Sequence, residues 1–73
     1  MPTPTTIAGH VAEEGSEAHR HLRNAAGNEE MAKWASRNAP DSYDRYVLAT
    51  ASDIECAINS AGYIGPAPRK ESE

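Results

Sequence analysis

The sequence predicts an all-α chain: a small three-helix domain over residues 16–64, with flexible N- and C-terminal tails. Three observations lead to this class. Apolar residues recur at three- and four-residue steps, most clearly over 43–61. Gly, Pro, Ser and Asn fall where such stretches would start and stop. And 13 of the 73 residues are Ala, the strongest helix former.

In the first segment Ile7, Val11, Ala18, Leu22 and Ala25 share a wheel face, so one helix over 6–26 is open. Gly9 and Gly15 oppose it, each costing about 1 kcal/mol relative to Ala. Ser16 is a natural N-cap, with Glu17 in the first turn. The reading is a helix over 16–26 closed by Gly27, behind an N-terminal arm over 1–15 that is mobile or only transiently helical. The second helix runs from Glu29 to about Asn38. Asn28 can cap it, and Glu29 and Glu30 suit the positive end of its dipole. Met31, Trp34 and Ala35 form its apolar face, with Trp34 the expected core plug. The Ala39-Pro40 pair ends it, because a residue before proline is pushed out of helical geometry.

The third helix, 42–61, carries the clearest pattern. Tyr43, Tyr46, Val47, Thr50, Ala51, Ile54, Ala57, Ile58 and Ala61 make one stripe. Asp41 or Ser42 can cap its start. Gly62 is placed as a left-handed terminator, with Tyr63 folding back onto Ile58. A capping-box pattern at Ser52 and Glu55 leaves a break near Thr50 as the alternative. The ends read as tails: residues 1–6 alternate Pro and Thr, and 65–73 offer nothing to bury.

Hydrophobic residues make up 38% of the chain, yet nearly half of them are Ala. Ile, Val and Leu number eight and Phe is absent, about 11% of the chain, well under the roughly 20% below which disorder becomes a serious reading. A two-domain protein, a barrel or a deep-pocket enzyme is therefore excluded on volume. The net charge of −4 works against non-specific nucleic-acid or membrane binding. One cysteine, Cys56, cannot close an intramolecular disulfide. With no apolar run of membrane-spanning length and no signal-peptide pattern at the start, the expected location is cytoplasmic.

Four kinds of chemistry are open to these residues. His10, Glu14, Glu17 and His21 would share a flank of an extended first helix, but a zinc site wants another His or a paired Cys. His19 and His21 point apart, so a solvated face is the better reading and no metal is expected. His19, Arg20 and Arg23 form the only basic cluster, but acidic neighbours (Glu13, Glu14, Glu17, Glu29, Glu30) make direct nucleic-acid binding disfavoured. For catalysis, Cys56 with a histidine, or Asp53 with Glu55, lacks any supporting motif, and no catalytic residue, cofactor or small-molecule substrate is expected. Protein binding remains, with Ile7 and Val11 in an arm that orders on a partner, Arg20 and Arg23 as a second contact, and Leu48 lying outside the third helix's stripe.

In length, helical build, the Pro/Thr-rich arm at 2–6 and the lack of a catalytic motif, the chain resembles small regulators that phages and other mobile elements use to seize or block host machinery. The resemblance spans the whole chain and rests on format, so it assigns no individual residue. It implies a non-enzymatic inhibitor or modulator that binds a larger protein complex, bacterial RNA polymerase first among the candidates, and so regulates transcription. The alternatives are a helix-turn-helix-like DNA-binding regulator, an inhibitor of a phage-defence complex, and one subunit of an obligate helical oligomer.

Overall fold

A computed structural model describes residues 3–68 and overturns the all-α, three-helix expectation. The chain is a mixed α/β domain, with strands β1 (Pro4–Ile7) and β2 (His10–Glu13), helices α1 (Glu17–Asn38) and α2 (Pro40–Ile58), and strand β3 (Tyr63–Pro66). The strands form an antiparallel sheet in the order β1-β2-β3.

The N-terminal arm, expected to be mobile over 1–15, holds a β-hairpin over Pro4–Glu13, residues 1 and 2 lying outside the described part. Thr5, Thr6, Ile7 and Val11 are β-branched and suit a pleated surface. The turn at Ala8 and Gly9 has positive φ at both residues, 54° and 80°, the backbone handedness that matches strand twist in a two-residue hairpin loop. Pro4 opens edge strand β1 and Pro66 closes edge strand β3, positions where a missing N–H is tolerated. Part of the expected tail over 65–73 is thus structured too: Gly65 pairs with Val11, and the Ala67 N–H donates to the Gly9 carbonyl at 2.9 Å. Residues 69–73 lie outside the described part.

The two N-terminal helices of the sequence reading are one. Ser16 does cap it, its Oγ accepting from the His19 N–H at 3.1 Å, but neither Gly27 nor Asn28 interrupts it. The reason is a buried stripe of Ala18, Leu22, Ala25, Ala32 and Ala35 along one side of α1. A break at Gly27 would divide that stripe and forfeit half of the packing against α2, outweighing the roughly 1 kcal/mol that glycine costs. Asn28 instead reaches across to α2, where its Nδ2 donates to Asp53 Oδ2 at 2.7 Å.

The break expected at Ala39 and Pro40 is present. The Ala39 N–H closes α1 on the Ala35 carbonyl at 2.8 Å, and Pro40 begins α2 where no intrahelical N–H is needed. Helix α2 ends at Ile58, earlier than expected. Gly62 does have positive φ (93°), but it turns the chain into β3. Tyr63 accordingly packs on the core instead of folding back onto Ile58.

The core is small and built of small residues. Ala12, Ala18, Leu22 and Ala57 cluster where the sheet meets the helices, with Ile7 and Tyr63 packed against them. Leu22 is the one large side chain fully buried among the described residues. The sheet reaches only part of the helical hairpin: α1 is about 33 Å long by its rise per residue, whereas four-residue strands span about 13 Å. The radius of gyration, 13.3 Å, exceeds the roughly 11 Å of a compact domain of this length. The molecule is a step, two layers thick under the sheet and one layer thick beyond it.

Candidate protein-docking surface

The step leaves much of the apolar side-chain inventory uncovered. The third-helix stripe was expected to be core, yet on α2 only Ala57 is buried. The side of α2 turned towards α1 carries Ser42, Tyr46, Ala49, Asp53 and Ala57, all half-buried or buried. These are mostly small or polar, so the larger apolar residues lie on flanks where no element packs.

Two exposed regions result. The first runs along the outward side of α1. Arg20, Arg23, Met31 and Trp34 follow at steps of three, eight and three, on one helical face. Trp34, expected in the core, is 51% exposed and Met31 40%. Arg37 lies beside Trp34 around a shallow cavity of about 460 Å³ at the hairpin tip, together with Glu30, Lys33 and Asn38. The Asn38 Nδ2 donates to the Trp34 carbonyl at 3.0 Å, fixing the last turn beneath the indole. At the other end Arg20 and Arg23 flank a second open cavity of about 370 Å³ with Ser16, His19 and Asn24. One strip of α1 is thus basic at its start and aromatic at its end.

The second region is a groove between the helices, an extension of the face the sheet occupies. The α1 positions Leu22, Ala26, Glu29, Lys33 and Ser36 follow one another at three- and four-residue steps. Leu22 is under the sheet, and Glu29, Lys33 and Ser36 line the groove with Tyr43, Val47, Thr50 and Ile54 of α2. Its volume is about 520 Å³. The Thr50 hydroxyl is turned back to donate to the Tyr46 carbonyl at 2.9 Å, which leaves the α2 wall apolar.

The residues named from sequence are thereby separated. Arg20 and Arg23 come together on the α1 strip. Leu48 is the most exposed large apolar residue among the described ones, at 69%, but it projects from α2, away from that strip. Ile7 and Val11 are not free docking residues: both sit half-buried in strands, and Ile7 packs on the core. The Met31/Trp34 pair and the groove were missed as surfaces because periodicity shows which residues share a face and not whether anything covers it.

The residues weighed as metal ligands are engaged otherwise or apart. His10 Nδ1 bonds Tyr63 Oη at 2.9 Å, the rings tilted with centroids 5.8 Å apart. His19 Nδ1 accepts from the Gly15 N–H at 2.9 Å. Glu14 and Glu17 are exposed, and Cys56 is an exposed free thiol. Among the described residues no three His, Cys, Asp or Glu side chains come together to hold a metal ion, and no helix is long and apolar enough to cross a membrane.

Comparison with known proteins finds no similar family model, no similar curated protein and no similar solved structure.

Proposed function

We propose that this chain is a non-enzymatic docking module that binds a larger protein and modulates it through the outward strip of α1. One observation carries the reading: the only Trp in the sequence stands half-exposed with Met31 one turn away and Arg37 beside it. A Trp exposed in this setting is poorly accounted for by monomer stability, and Trp and Arg dominate the energetics of protein interfaces. Arg20 and Arg23 extend the strip and would favour an acidic margin on the partner. With Ile7 and Val11 held in strands, this reading puts the docking contact on α1 and keeps the proposed outcome, inhibition or modulation of a larger host complex. Bacterial RNA polymerase is the first complex to test and would place the chain in the cytoplasm.

The experiment labels Trp34 as 5-fluorotryptophan and follows its single ¹⁹F resonance during titration with purified polymerase and, separately, with duplex DNA. Binding through the strip shifts or broadens the resonance on the protein titration, and Trp34→Ala weakens binding by more than tenfold, the expected loss for an aromatic anchor of about 2 kcal/mol. A response to DNA that falls steeply with salt and disappears in the Arg20→Ala/Arg23→Ala variant would replace this reading with the DNA-binding one.

A further inference from the structure

The groove on the other flank points to a second occupant. We propose that it is an interface with a second copy of this chain, two steps meeting foot to foot in an antiparallel, two-fold arrangement.

The groove is self-complementary. On α1 its wall holds one acid and one base, Glu29 and Lys33, both exposed; Lys33 Nζ lies 3.6 Å from Glu30 Oε2 on its own helix, a solvent-exposed pair worth little and readily exchanged for a partner's carboxylate. On α2 its wall holds Tyr43 and Val47 on one side of its midpoint, Thr50 and Ile54 on the other. The Asn28–Asp53 hydrogen bond sets the register of the two helices, so residue 31, midway between Glu29 and Lys33, lies level with residue 50. The centre of the α2 stripe falls between Val47 and Thr50, within about half a turn of that level. One dyad through this point, perpendicular to the helices, places Glu29 against the partner's Lys33 and Lys33 against the partner's Glu29. It also sets Tyr43 near the partner's Ile54 and Val47 near the partner's Thr50. A two-fold interface requires this property, since each contact must occur twice with the roles exchanged.

Shape agrees with charge. The sheet covers the same face only at the far end, so two copies turned head to tail overlap their open halves and keep both sheets outside the overlap. The other two-fold arrangement, with hairpin tips at the same end, would press sheet against sheet and hold the groove walls apart. A dyad level with residue 31 sets residue 38 opposite the partner's residue 24, so the overlap is about 22 Å along the helices, for the fifteen residues from 24 to 38, and about 20 Å across two helices. An interface of that size belongs among transient ones, below the roughly 800 Å² per partner of standard stable complexes. A dissociation constant in the micromolar range is expected.

Sedimentation equilibrium of the full chain from about 5 µM to 1 mM tests this. The parent chain is expected to dimerise within that range. Glu29→Lys alone and Lys33→Glu alone each replace two attractions with two repulsions and should weaken the dimer about tenfold. The double exchange Glu29→Lys/Lys33→Glu should restore it. Val47→Asp should abolish it while the circular dichroism spectrum stays that of the parent, because Val47 is exposed. Trp34→Ala, on the other flank, should leave the dimer intact, which separates this proposal from the docking strip. A chain that stays monomeric at 1 mM would overturn the proposal and leave the groove to another protein. So would a dimer insensitive to the single charge reversals, or one that the double exchange fails to restore.

Discussion

Two glycine-to-alanine substitutions should have opposite signs, and the difference can be worked from the backbone. At Gly62 an added Cβ would overlap both the Cβ and the Oγ of Ser16. The residue also has φ of +93°, where a side chain is strained by about 1–3 kcal/mol. Overpacking against Ser16 adds about 1–3 kcal/mol. Little can give, because this is where the sheet, the end of α2 and the start of α1 are tied together. The Glu13 N–H donates to the Gly62 carbonyl at 2.8 Å, the Ala18 N–H donates to the Ala61 carbonyl at 3.0 Å, and Ser16 is the N-cap of α1. A loss of about 2–6 kcal/mol follows, set against about 4–11 kcal/mol for a chain of this length. At about 4–8 °C per kcal/mol, Gly62→Ala should lower the melting temperature by at least about 8 °C. Gly27 lies inside α1 with negative φ and open space where a Cβ would go, so Gly27→Ala should stabilise by about 0.5–1 kcal/mol. Thermal denaturation followed at 222 nm at one fixed protein concentration measures both. Adding Ser16→Gly to Gly62→Ala removes the overlapping atoms and should recover part of the loss, since glycine itself is an acceptable N-cap. A Gly62→Ala protein melting within about 3 °C of the parent would refute the reasoning, as would a destabilised Gly27→Ala.

Leu22→Ala removes the one large, fully buried side chain among the described residues. It should cost about 3–4 kcal/mol, read as a fall in the urea midpoint with little change in slope. Deleting residues 1–8 takes away β1, its turn and the Ile7 contact with the core, and exposes the edge of β2. The remainder should lose cooperative unfolding in calorimetry, whereas a merely attached arm would leave the transition unchanged.

Some of this architecture is legible in the residues and some is not, for identifiable reasons. Ser16 as a cap and Ala39-Pro40 as a break are local events, decided within three or four residues, and both are where the sequence puts them. Gly27 misleads because its cost is local while the Ala stripe that overrides it is a property of two helices packed side by side. The β-hairpin is hidden because its turn is Ala8-Gly9 and not the Asn-Gly or Asp-Gly signature, and because Thr-rich strands flanked by Pro read as a tail. Strand β3 is harder still. Its partner is β2, and the His10–Tyr63 bond joins residues 53 apart in sequence. For the candidate site, Arg20 and Arg23 are recognisable as exposed residues; Leu48, outside the third helix's stripe, is exposed but lies away from the strip. Trp34 is not, since nothing in its neighbours says that the second layer stops short of it.

The order of strands has a consequence for how the protein comes into being. The central strand is made early, but one of its two neighbours is separated from it by the entire helical hairpin. A nascent chain therefore emerges from the ribosome with β2 already present and one of its edges open until β3 follows. Through that interval the edge offers unpaired backbone groups to any extended segment nearby. A product that stops before β3 would keep that edge permanently and present it to chaperones and proteases. The four residues of β3 thus decide whether the second edge of the central strand is closed.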